Sequence, residues 1–192
     1  VRTGKARVIG IEPASLVTKS LVREVKTDDA GCFQSALNPG LTKIAVIERH
    51  KRTGKLGIGI LEGYGLTGGA IATTISHDSH NIVVAGDNDP DMLLAVRELA
   101  DMGGGIVSVH GGAIRRLPLP IAGLMTSADP QEVNAVLHDM LVAARAELGI
   151  PEDVEPFMTL SFMALPVIPE LKLTARGLFN VNTFSFVGVE AD

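Results

Sequence analysis

The chain has 192 residues, 46% hydrophobic and 20% charged, which suits one globular domain with a buried core and excludes a disordered polypeptide. A net charge of −5, with no Trp and one Tyr, offers neither a phosphate-tracking surface nor a stacking platform, so nucleic acid is disfavoured as a partner. The single cysteine, Cys32, rules out an internal disulfide framework and fits a reducing, cytoplasmic setting.

Residues 1–7 carry three basic groups with no apolar run behind them, so no signal peptide is expected. The longest charge-free windows, 63–76 and 117–128, are too short or too rich in Gly and Pro to span a bilayer. The high apolar content therefore predicts core, or surface covered by another body.

In chain order, "ARVIGIEP" reads as a short strand closed by Pro13. The Asp, Gly and Pro of "VKTDDAGCFQSALNPG" mark a loop. Strands are then expected in "KIAVIERH", "GKLGIGILEGYG", "GAIATTIS" and "NIVVAG", with hairpins or bulges at the intervening glycines. Asp89-Pro90 predicts a helix start capped by Asp89, with Met92, Val96 and Leu99 on one face and Gly103 closing it. "GGGIVSVHGGAIRRLPLP" predicts a hairpin turning at Gly111-Gly112. Asp129-Pro130 opens a second helix whose stripe runs through Val133, Val136, Leu137, Met140, Leu141 and Ala144 to Gly149. "PFMTLSFMAL" reads as a short apolar helix and "NTFSFVGVE" as a last strand. Strands first and helices later, without regular βαβ units, predict an α+β fold: a mainly antiparallel or mixed β-sheet with two or three helices packed on it.

The chemistry concentrates in "SHDSHN", residues 76–81, between two expected strands. It fits two readings. One is a polar turn whose Asp78, Ser79 and Asn81 bond local backbone. The other is a site, in which His77, Asp78 and His80 are ligands to one divalent ion, or Asp78 orients an imidazole as a base. Two imidazoles are unusual where Gly or Asn would serve a turn better. Glu48, Arg49 and His50, in "IERH", end a neighbouring strand with three ionisable side chains. His110 reads as a hairpin tip, His138 as part of a polar helix face, and Cys32 has no obvious partner. "GIGILEGYG" is no phosphate loop, because strand follows it. No complete catalytic set is present, and no H-x-H occurs.

"KIAVIERHKRTGKLGIGILEGYGLTGGAIATTISHDSHNIVVAGDNDPDM" closely resembles the C-terminal region of bacterial and archaeal adenine deaminases of the amidohydrolase superfamily. "RVIGIEPASLVTKSL", "LPLPIAGLMT" and "PFMTLSFMALPVIPELKLTARGLFNV" match the same region in the same order, so the similarity covers essentially the whole chain. The resemblance implies hydrolysis of adenine to hypoxanthine and ammonia by the full-length enzyme. The divalent metal (Mn, Fe or Zn) would be bound mainly by a (β/α)₈ barrel lying outside this chain, with a carboxylate shuttling the proton. Residues 1–20 would belong to a small β-domain, 21–192 would form the appended C-terminal domain, and the isolated chain would be inactive. His77, Asp78, Ser79, His80, Asn81, Glu48 and His50 are the candidates to face the active site. The expected partners are adenine, the barrel and further copies in a homo-oligomer. The alternative is a binding or oligomerisation module with no direct part in the chemistry; a third possibility is a self-contained metal hydrolase using His77, Asp78, His80 and His50.

Overall fold

A computed structural model describes residues 4–191. Strands β1 (Lys5–Ile11), β2 (Thr18–Glu24), β3 (Leu41–Ile47), β4 (Leu56–Glu62), β5 (Gly69–Thr73), β6 (Ile82–Gly86), β7 (Gly105–His110) and β8 (Ala113–Pro118) form one sheet in the order β2-β1-β4-β3-β6-β5-β7-β8. Every pairing is antiparallel except β1 with β4, so the sheet is mixed. Three helices, α1 (Asp89–Asp101), α2 (Pro130–Ala146) and α3 (Pro156–Phe162), and a small antiparallel sheet of β9 (Leu171–Thr174), β10 (Gly177–Asn180) and β11 (Ser185–Val187) complete an α+β fold.

Period-2 alternation sends successive side chains to opposite faces of the sheet, and both faces are covered in part. On one side Ile44, Val46, Ile71, Val83 and Ile106 meet α2, α3 and the small sheet through Met140, Leu160 and Leu173. On the other side Ala45, Ala72, Val84 and Val107 receive Met92, Ala95 and Leu99 of α1. Farther along that second face, Val8 and Ile60 pack on Val25 and Phe33.

Glycines of "GIGILEGYG" serve close approach here. A Cβ at Gly57 would lie 2.0 Å from the Thr174 carbonyl oxygen, so only glycine lets β9 and β10 settle on β4. At the end of the same segment Tyr64 is fully buried, and its hydroxyl donates to the Pro156 carbonyl at 2.8 Å, tying the β4–β5 connection to the start of α3.

The expected elements are present with three differences. Asn88, not Asp89, caps α1, accepting from the Asp91 amide at 2.9 Å, and Asp89 lies inside the first turn. Asp129 caps α2 as expected, although its carboxylate takes the Gln131 amide. β2 forms from "TKSLVRE", a stretch with little apolar alternation, because β1 supplies a full ladder of partners for it. β9 and β10, four residues each, are held by pairing rather than by their own pattern. Residues 7–11 run inside the main sheet between β2 and β4.

Candidate functional site

The topology gathers the ends of β3 and β5 and the starts of β4, β6 and β7 at one edge of the sheet. Ile47 pairs with Ile82 and with Leu56, and Thr73 with Ile106. The connection after β3 and the 76–81 run, about 30 residues apart in sequence, therefore lie side by side.

Glu48 begins the first connection. One carboxylate oxygen accepts from the His50 amide at 2.6 Å and the Lys51 amide at 2.7 Å; the other takes the Thr53 amide at 3.0 Å and the Thr53 hydroxyl at 2.9 Å. These bonds, that from the Thr53 amide foremost, hold the carboxyl down to about 2. So committed an acid is a poor proton acceptor near neutrality; it shapes the turn.

That turn presents His50, whose Nε2 lies 2.9 Å from the Ser79 carbonyl oxygen. Arg49 reaches the other way: Nε donates to the His80 carbonyl at 2.6 Å and Nη2 to the Ala122 carbonyl at 2.6 Å, while its amide lies 3.4 Å from Asn81 Oδ1. The sequence marks Arg49 only as one of three ionisable side chains at a strand end, not as a candidate to face the site. An arginine at a strand end reads as a solvated charge, and no local spacing points to carbonyls so distant along the chain.

Within the run itself, Ser76 and Asn81 are buried and anchor the two ends. The His77 amide donates to the Ser161 carbonyl at 3.1 Å, and its ring stacks on Phe162 with centroids 4.5 Å apart. His80 is left-handed at φ 48°, its amide bonded to the Ser76 carbonyl at 2.6 Å. Its Nδ1 is buried with no partner among the described residues. Asp78 and Ser79 are exposed at the tip. A third connection closes the group: Thr74 Oγ1 donates to the Gly123 carbonyl at 2.6 Å and accepts the Gly105 amide at 2.8 Å.

The candidates His77, Asp78, Ser79, His80, Asn81, Glu48 and His50 are thus one contiguous cluster. The ligand set expected of His77, Asp78 and His80 is not assembled. The His77 ring turns onto Phe162 and stands 6.4 Å from that of His80, and among the described residues no group of three His, Cys, Asp or Glu side chains is arranged to hold a metal ion. A resident metal does not fit these residues. His110 caps the far hairpin with Nδ1 2.8 Å from the Gly68 carbonyl oxygen, His138 is exposed on α2, and Cys32 is exposed with a free thiol. No described helix is long and apolar enough to cross a membrane.

The fold and site define an α+β domain with helices on both faces of a mixed sheet and a braced, imidazole-bearing loop at one edge, with no complete metal centre among the described residues. The family described as the adenine deaminase C-terminal domain matches residues 15–185, and the chain belongs to it. Over 188 residues it is 61% identical to the adenine deaminase of Nitratidesulfovibrio vulgaris strain Hildenborough, covering 97% of this chain and 32% of that protein. Adenine deaminase 2 of Carboxydothermus hydrogenoformans is 49% identical over 98% of this chain and 33% of its own length. The adenine deaminase of Clostridium acetobutylicum is 46% identical over 96% and 32% respectively. The chain thus spans about a third of the length of the curated relatives it matches.

Proposed function

We propose that the chain acts as the C-terminal domain of an adenine deaminase whose full-length form hydrolyses adenine to hypoxanthine and ammonia, and that residues 77–81 face its active site. The observation that carries the reading is the bracing of this loop. Its carbonyls at Ser79 and His80 are taken by His50 and Arg49, and the His77 ring rests on Phe162, while the tip stays open to solvent. A turn that only joined two strands would not need two separate segments, 49–50 and the end of α3, to hold it.

The two imidazoles divide the work. Stacking holds His77 as part of the scaffold. His80, whose Nδ1 is enclosed, is the ring offered to substrate or to a proton-transfer chain, with Asp78 beside it at the exposed tip. A divalent ion (Mn, Fe or Zn) would activate the attacking water in the full-length enzyme, held by residues outside this chain. The same reading takes 21–192 as the appended domain and 1–20 as a segment belonging to the small β-domain of the full-length enzyme. A single exposed thiol supports a cytoplasmic setting.

A second reading, an interface module that joins copies in a homo-oligomer, draws on a different feature. Between α1 and residues 31–33 the sheet carries an open groove of about 600 Å³, with Leu56, Ile58 and Leu93 half exposed along it. Incubating the purified 192-residue chain with adenine and added divalent metal, beside the full-length enzyme, separates an accessory domain from a self-contained hydrolase. The accessory reading expects hypoxanthine from the full-length protein alone; turnover by the isolated chain would overturn it.

A further inference from the structure

We propose that Arg49 is a positioning residue for the reaction: its guanidinium sets the place of the His80 backbone, and with it the imidazole, relative to substrate. The inference rests on the reading that residues 77–81 face the active site, and it adds a residue outside that loop.

Among the described residues, Arg49 is the only side chain that bonds both the 76–81 loop and the 119–125 connection. Nε and Nη2 donate to the carbonyls of His80 and Ala122 at 2.6 Å each, a two-pronged use of the planar fork that a lysine cannot reproduce. Gly123 lies against the guanidinium; at its φ of 75° a Cβ would meet Nη2 at 2.6 Å and Cζ at 3.0 Å, so a side chain there would push the end of Arg49 aside. No carboxylate among the described residues pairs with the cation, and partial burial presses its pKa down. A half-buried cation without a counter-charge is a costly way to tie a turn, and a neutral hydrogen-bond donor would serve that purpose.

The group it holds explains the expense. His80 sits in the left-handed region, which residues with a Cβ avoid, and its carbonyl is where Arg49 pulls. Release of that carbonyl lets the backbone relax and swings the ring away. Displacement of a catalytic group by about 1 Å lowers a rate on the order of 10²-fold.

The test uses the full-length enzyme carrying Arg49→Met, Arg49→Lys, His80→Ala and the double variant Arg49→Met/His80→Ala. His80→Ala removes the imidazole and keeps the carbonyl, so Arg49 retains its bond there. We expect Arg49→Met to lower kcat about 10²-fold with KM nearly unchanged, and to speed amide exchange in 76–81. Arg49→Lys should recover part of that loss, and the double variant should be no slower than His80→Ala alone. Losses that multiply in the double variant, or normal kinetics for Arg49→Met beside a slow His80→Ala, would overturn the positioning role while leaving the loop reading intact. Normal kinetics in both single variants would overturn the two together. Should Arg49→Met not fold, the same cycle with Arg49→Lys, read by kinetics and by exchange in 76–81, decides between these outcomes.

Discussion

The His77 imidazole stacks on the Phe162 ring, centroids 4.5 Å apart at an interplanar angle of 29°, and so docks the tip of a sheet connection onto a helix far along the chain. The pair is seconded by the His77 amide on the Ser161 carbonyl, and α3 is itself tied at its other end by the Tyr64 hydroxyl. The loop's position is therefore inherited from the core through α3.

Phe162→Leu keeps apolar volume and removes the stack. We expect a stability loss of about 1 kcal/mol, the scale of an aromatic pair beyond its area burial. Amide exchange should quicken in 77–81 and stay unchanged in β5 and β6. Denaturant melts with exchange read by mass spectrometry check both; uniform quickening across the sheet would mean the pair supports the core instead.

Glu48 gives the domain an acid-sensitive element. Its hydrogen bonds hold the folded carboxyl at about 2, below its ordinary value of 4.5. Between those values the unfolded chain binds a proton that the folded chain refuses, so the stabilisation is complete above about pH 4.5 and is lost as pH falls toward 2. Glu48→Gln should lower Tm at neutral pH and flatten the Tm profile across that window. Equal acid limbs in the two proteins would show that the carboxylate's bonds carry no weight.

Lys172 shifts in the same direction, but here burial disfavours the charged form instead of hydrogen bonds favouring it. It is fully buried on β9, its ammonium bonded to the Leu16 carbonyl at 2.8 Å, and burial pushes it down to about 8 from an ordinary 10.5. From about pH 8 to 10.5 the unfolded chain holds the extra proton, so stability should climb with pH through that window as the cost of the buried charge is relieved. Lys172→Met should abolish the climb. Thermal melts of both proteins from about pH 7 to 11 decide it.

How far the sequence carries varies by element. The strands around "KIAVIERH", "GKLGIGILEGYG" and "NIVVAG" declare themselves by apolar alternation, and α2 by its Asp129-Pro130 start and apolar stripe. β2 does not: Lys19, Arg23 and Glu24 suit an edge strand facing water, and such a strand has no apolar period to read. In the site, "SHDSHN" stands out because six polar groups interrupt apolar runs. Arg49 stays hidden, because its bonds to His80 and Ala122 span 31 and 73 residues and depend on β3 pairing with β6. The metal reading of His77, Asp78 and His80 takes close spacing for convergence, whereas packing against Phe162 turns one of the three away.

The most direct test of the central claim, that residues 77–81 work at the active site of a full-length adenine deaminase, is the steady-state kinetics of that enzyme with Asp78→Ala and His80→Ala. Asp78 is exposed, so Ala there changes stability by no more than about 0.5 kcal/mol. A proton-transfer or substrate-positioning role is larger, on the order of 10²-fold in kcat. We predict a loss of that size in both variants, with melting curves close to those of the parent enzyme. Unchanged kcat and kcat/KM in both would contradict the account and leave the loop a polar turn.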